Sequence, residues 1–275
     1  VNATDWKQRV SGGLGLWGDP PILGYDVSGV VDAVGLGVDL FRPGDEVFGM
    51  SRFPKQAGTY AQYVTAPARQ FVHKPAEIDH VQAAALPLAG LTAWQVLVDT
   101  ADVQEGQRVL VHAAAGGLGH LTGQIAKARG AYVVGTARAA KHELLRALGA
   151  DELVDYTEQP FEEAVSDIDV VVDTIGGDYP ARSLKTMRTG GILVSLASPF
   201  DPPAEVVREA TARGLGTASP LVEPDRLALT GIAELVEARR LRATIAEVLP
   251  LAEARRAHEL GETGRTTGKL VLTVD

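Results

Sequence analysis

The chain has 275 residues, 45% hydrophobic and 22% charged, with a formal net charge of −9 and no cysteine. That size and composition give a globular protein with a substantial core, built as one large domain or two ordinary ones. The negative field disfavours nucleic acid and anionic membrane as main partners, and the missing cysteines exclude disulfides, thiolate nucleophiles and cysteine-ligated zinc. No apolar run is long enough to span a bilayer and no signal peptide is visible, which predicts a cytoplasmic location away from membranes.

The first segment, Val1-Asn2-Ala3, reads as the inside of a strand, so a leading segment is expected before it. Residues 1–90 are rich in Gly, Pro and Val in short alternating runs, an all-β texture without a long helix. Within them, Gly24 to Val34 and Asp45 to Met50 read as strands, with a turn at Arg42-Pro43-Gly44-Asp45. From about residue 91 the pattern becomes β-α-β. Arg108 to Ala113 is an apolar strand, Leu118, Leu121, Ile125 and Ala128 follow at helical spacing, and Tyr132 to Thr136 is the next strand. A helix is predicted from Lys141 to Leu148, then strands Asp169 to Asp173 and Ile192 to Leu196 flank a helix near Pro180 to Met187. Strands alternating with helices imply an α/β fold, a doubly wound parallel sheet over residues 91–222. Residues 223–275 supply a helix (Asp225 to Arg239), a strand (Thr244 to Val248), a second helix (Leu251 to Glu262) and a last strand (Leu270 to Val274).

One loop carries the chemistry. His112-Ala113-Ala114-Ala115-Gly116-Gly117-Leu118-Gly119 joins a strand to a helix predicted to begin near Gly117. Small residues there let the backbone approach a pyrophosphate while the first helical amides point at it. Against G-x-G-x-x-G, Ala114 stands at the first glycine, and Gly116 and Gly119 hold the other two places. Ala114, Ala115, Gly116, Gly117 and Leu118 are therefore candidate cofactor contacts. An NAD site places an acid roughly 20 residues beyond the loop, on the ribose 2′-hydroxyl. Here no acid occurs from Leu118 through His142, and the second strand ends Gly135-Thr136-Ala137-Arg138-Ala139-Ala140-Lys141. With Thr136 at the strand end, Arg138 as a planar fork and Lys141 as a point charge suit a 2′-phosphate, which predicts NADPH. The bland alternative is two solvated cations at a helix start.

Further motifs run in order along the chain: Val1-Asn2-Ala3-Thr4-Asp5-Trp6-Lys7, Gly24-Tyr25-Asp26-Val27-Ser28-Gly29-Val30-Val31, Gly58-Thr59-Tyr60-Ala61-Gln62-Tyr63, and Leu86-Pro87-Leu88-Ala89-Gly90-Leu91-Thr92-Ala93. With the phosphate loop and the ending Gly268-Lys269-Leu270-Val271-Leu272, the chain resembles the zinc-free quinone oxidoreductase-like branch of the medium-chain dehydrogenase/reductases. That resemblance implies a GroES-like β domain made from both chain ends, an inserted Rossmann domain, and a cleft between them for the nicotinamide. It also implies that the family pattern begins before Val1, and that the protein is a homodimer.

Zinc-dependent relatives carry Gly-His-Glu where this chain has Gly24-Tyr25-Asp26, and the six histidines lack ligand spacing. Without a metal to polarise an alcohol, hydride addition to a quinone or an α,β-unsaturated carbonyl is the expected reaction. By resemblance Asn2 lies beside the nicotinamide and Lys7 is the candidate for polarising the acceptor. Their alternative reading is a turn residue and a solvated strand residue. Trp6 reads as core. Thr92 is implied to touch the cofactor and Tyr156 to lie near the adenosine phosphate, while Ile175, Gly176, Ala197 and Ser198 end parallel strands, where ligands bind. A protein that binds NADPH for a structural or regulatory purpose, without turnover, is the competing expectation.

Overall fold

The computed structural model describes residues 1–11, 21–197 and 202–274, and divides into two compact units, Val1–Thr92 with Val222–Asp275, and Ala93–Leu221. In chain order the strands are β1 (Asp26–Val30), β2 (Glu46–Met50), β3 (Phe71–His73), β4 (Arg108–Val111), β5 (Tyr132–Thr136), β6 (Glu152–Val154), β7 (Ile168–Asp173), β8 (Met187–Ser195), β9 (Gly216–Ala218), β10 (Ile245–Pro250) and β11 (Lys269–Thr273).

In the unit split between the chain ends, β1, β2 and β3 form an antiparallel sheet, and β10 and β11 form a separate parallel pair. Phe41, Val47 and Phe71 make a small apolar centre with Val27, Val31, Ala66 and Ala68 packed on it. His80 fastens two of these strands, its ring nitrogens lying 2.8 Å from the Ser28 hydroxyl on β1 and 3.1 Å from the Glu46 carboxylate on β2. The expected strand at the first residues is instead a helix, Ala3–Ser11. The reason is visible in its partner: this helix lies against the helix Ala254–Glu262, where a Cβ on Gly261 would stand 2.6 Å from the Trp6 ring. Tertiary packing of one indole on one glycine decides the segment, as it commonly overrides local propensity. Trp6, expected in the core, is half-buried in this helix–helix contact. Helices His80–Ala84 and Pro87–Trp94 also interrupt the expected all-β texture, the first capped by the Asp79 side chain accepting from Gln82 N at 2.8 Å.

The contiguous unit is a six-stranded parallel sheet in the order β6-β5-β4-β7-β8-β9. The chain leaves central β4 toward one side, through β5 and β6, then returns to build the other side from β7. Such a reversal of direction opens a crevice at the carboxyl ends of the strands, which is where ligands bind. Leu110, Val134, Val171 and Leu193 are fully buried on successive strands, as a parallel sheet covered by helices on both faces requires. Strands β6 and β9, each three residues long, are too short to be read from sequence, and the helix Ala204–Ala212, which buries Val206 and Ala210 one turn apart, is absent from the sequence reading.

Candidate nucleotide and active site

The loop after β4 is tighter than its sequence reading. Ala113 takes a left-handed conformation, φ 48°, and its carbonyl accepts from Gly116 N at 2.8 Å. A non-glycine residue there is strained, and such strain is tolerated where the surroundings over-determine the backbone. The helix begins at Gly119, two residues later than expected, and a Cβ on Gly119 would sit 2.4 Å from the Ala113 carbonyl oxygen. Only glycine permits that approach of helix to loop. Ala114 stands in for the first glycine because β5 makes room: a Cβ on Gly135 would lie 2.9 Å from the Ala114 methyl. The amides of Ala115, Gly117 and Leu118 donate to no acceptor among the described residues, and Gly116, Gly117 and Leu118 are partly open to solvent. Unpaired amides on a glycine-lined turn at a helix start fit a pyrophosphate.

Beneath this loop lies a buried polar cluster that the sequence reading missed. His112, fully buried, has Nδ1 3.2 Å from the Thr136 hydroxyl and Nε2 2.9 Å from the Ser183 hydroxyl, and its carbonyl accepts from the Thr174 hydroxyl at 3.2 Å. Phe161 and Tyr179 pack edge-on to its ring. Thr136 is thus turned inward: its hydroxyl anchors the loop and is not offered to a ligand. Burial pushes the His112 imidazole down to about 3, so it stays neutral. The unfolded chain takes up a proton near 6.5 that the folded protein refuses until about 3, so this stability is complete above pH 6.5 and lost as the pH falls toward 3. We expect acid to lower the unfolding midpoint of the wild type from pH 7 to pH 5 by more than it lowers that of His112→Gln. Equal slopes in pH-dependent thermal melts count against this account.

Around the crevice the other candidates fall at strand ends. Arg138 leaves β5 exposed, its guanidinium without a partner among the described residues, and Lys141 closes the following turn with its amide on the Arg138 carbonyl at 2.9 Å. Tyr156 follows β6 and is 40% exposed. After β7 the Asp173 carboxylate accepts from Ile175 N at 2.9 Å and Gly176 N at 3.1 Å, so these two amides are spent on the chain itself and only the half-exposed Ile175 side chain faces outward. Burial raises Asp173 above the usual carboxylate range. Ala197 crowds Gly176, where a Cβ would come within 2.8 Å of its methyl. Ser198 lies outside the described residues.

The split unit holds the remaining candidates. Thr92 donates its hydroxyl to the Leu88 carbonyl of its own helix at 2.7 Å. Lys7 is exposed on the helix Ala3–Ser11, not on a strand. Asn2 is buried with both ends of its amide engaged: Nδ2 donates to Asp26 Oδ2 at 2.7 Å, and Oδ1 accepts from the buried Lys269 ammonium. Asp26 also accepts from Leu88 N at 2.7 Å. Asp5 accepts from Asn2 N at 2.7 Å and from the Tyr60 hydroxyl at 3.2 Å, and burial raises its carboxyl above the ordinary range. Tyr25, at the histidine position of zinc-dependent relatives, donates its hydroxyl to Gln8 Oε1 at 2.9 Å. Its chain neighbour Asp26 belongs to a buried ammonium–carboxylate network with Asn2 and Lys269. No group of three or more His, Asp or Glu is placed to hold a metal ion among the described residues.

Comparison with known proteins meets this geometry. A family model described as an alcohol dehydrogenase GroES-like domain matches residues 1–76, and one described as a zinc-binding dehydrogenase matches residues 148–272. The mitochondrial NAD(P)H oxidoreductase RTN4IP1 of Danio rerio is 31% identical, over 93% of this chain and 72% of that protein. A 2-haloacrylate reductase of a Burkholderia species is 34% identical, over 93% of this chain and 82% of that protein. The chain belongs to the zinc-free quinone oxidoreductase-like branch of the medium-chain dehydrogenase/reductase superfamily. The quinone oxidoreductase of Escherichia coli, solved in complex with NADPH, superposes with a TM-score of 0.85 at 30% identity, covering 99% of this chain and 88% of that one. The fold is that of the branch: a GroES-like part at the first residues and a Rossmann unit of parallel strands. No helix among the described residues is long and apolar enough to cross a membrane.

Proposed function

We propose that this oxidoreductase uses NADPH to reduce a quinone or an α,β-unsaturated carbonyl, without zinc. NADPH is the cofactor of the reading, and one observation carries it: the loop after β4 presents unpaired amides beside a helix that only Gly119 could bring so close, while Arg138 stands open at the end of β5. The NADPH complex of the Escherichia coli relative and the name of the Burkholderia reductase point the same way. When bound, NADPH supplies the hydride. The chain's part is to hold it, with Ala114 to Leu118 around the pyrophosphate, Arg138 and Lys141 on the 2′-phosphate, and Tyr156, Ile175, Ala197, Ser198 and Thr92 as further contacts.

On the acceptor side the proposed group is Lys7, whose exposed ammonium suits an oxygen that gains negative charge as hydride is added. Asn2, the second proposed group, bridges the buried Asp26–Lys269 pair, its amide N–H on the carboxylate and its oxygen on the ammonium. The test is loss of nicotinamide absorbance with a panel of quinones and enals. Acceptor-dependent oxidation is the expected result, with Lys7→Ala slowing turnover roughly tenfold or more and leaving NADPH affinity in place. A flat trace across the panel, with NADPH bound, supports a binding protein without turnover. Wild-type turnover in Lys7→Ala removes that residue from the chemistry. We place the protein in the cytoplasm as a homodimer, which cell fractionation and size-exclusion chromatography check.

A further inference from the structure

The acid-free run after the phosphate loop is free of acids only in sequence. In space, a carboxylate from the neighbouring strand reaches the same turn. Strands β5 and β6 pair in register, Thr136 against Val154, and the pairing continues past their ends, with Ala137 N donating to the Val154 carbonyl at 3.0 Å. One step further the carboxylate of Asp155 takes over from the backbone, its Oδ2 accepting from Ala139 N at 2.6 Å. The other oxygen accepts from Thr157 N at 2.9 Å and from the Thr157 hydroxyl at 2.6 Å. The hydrogen bonds from Thr157 and Ala139 hold this exposed carboxyl below its usual range, so it is an anion at neutral pH.

An acid at this end of β5 has two possible uses. It can accept from the ribose 2′-hydroxyl, which favours NAD, or it can organise the chain. Both oxygens of Asp155 already take donors from the protein, one of them the amide next to Arg138. We infer that Asp155 is a positioning residue for 2′-phosphate recognition: by clamping Ala139 it fixes the direction in which Arg138 leaves β5. This rests on the NADPH reading above. The clamp costs some repulsion between carboxylate and phosphate, but both are exposed and screened by salt, whereas a misdirected guanidinium loses a charge-assisted, geometry-dependent contact.

Asp155→Asn separates these effects. Asparagine keeps the shape and can still accept from Thr157 through its oxygen, but it then turns an amide N–H toward Ala139 N–H, donor against donor, and the clamp is lost. Dissociation constants for NADPH and NADH are measured by nicotinamide fluorescence, with thermal melts alongside. The expected result is about tenfold weaker NADPH binding with NADH changed less than about twofold. An unchanged NADPH-to-NADH ratio overturns the inference, and so does a ratio shifted toward NADPH, which would make Asp155 a repulsive charge. Thr157→Val removes only the side-chain bond and is expected to keep the wild-type ratio. A shift as large as that of Asp155→Asn would assign the effect to the Asp155–Thr157 turn and overturn the clamp. A wild-type chain without preference for NADPH overturns the cofactor reading itself, a result distinct from any seen only in the variants.

Discussion

Replacing Arg138 by alanine is expected to weaken NADPH binding about 10- to 100-fold while NADH binding changes little, because a guanidinium–phosphate pair contributes on the order of 1.5–3 kcal/mol. The guanidinium is exposed and has no partner among the described residues, so its removal disturbs no internal contact and the loss reads out the phosphate alone. Arg138→Lys should recover part of the affinity as a point charge, but not the fork geometry. Adding Lys141→Ala should deepen the loss for NADPH again. Titration of both nucleotides against the three variants checks this, and equal weakening for NADH would show that Arg138 does not read the 2′-phosphate.

A second large effect is expected far from the nucleotide. Lys269→Met should destabilise the protein by about 3–5 kcal/mol, since removing one partner of a buried pair leaves the other charge uncompensated. Lys269 is buried against Asn2 and Asp26, and the Asp26 carboxylate would keep only its bonds to Asn2 and Leu88 N. The double variant Lys269→Met, Asp26→Asn should recover a good part of the loss, because burying neither charge costs less than burying one. Denaturant or thermal unfolding measures both. A single variant as stable as wild type would mean that the pair is not buried in solution.

Sequence alone made much of this legible, but unevenly. Tyr132 to Thr136 is legible residue for residue and the strand at Asp169 to Asp173 within one residue, because buried parallel strands are continuous apolar runs flanked by turn signals. The phosphate loop was legible because its glycines obey a steric requirement that Gly119 meets directly. The first helix was not legible, since Ala3–Ser11 is settled by Trp6 lying on Gly261, a contact between opposite ends of the chain. Asp155 was invisible for a related reason: its strand is three residues long, and its relevance to Arg138 exists only through the register of β6 on β5. Thr136, Ile175 and Gly176 sit where the pattern puts them, yet hydrogen bonds to His112 and Asp173 decide which of their groups remain for a ligand.

The division of the chain has a consequence for synthesis. Residues Ala93–Leu221 form one uninterrupted unit, whereas Asp26 is paired across the split unit with the ammonium of Lys269. On the ribosome the inserted unit therefore has all its strands before the enclosing one has its counter-charge. The nucleotide-binding unit is free to fold during translation, and the Asp26 carboxylate waits, hydrated, until Lys269 has been made.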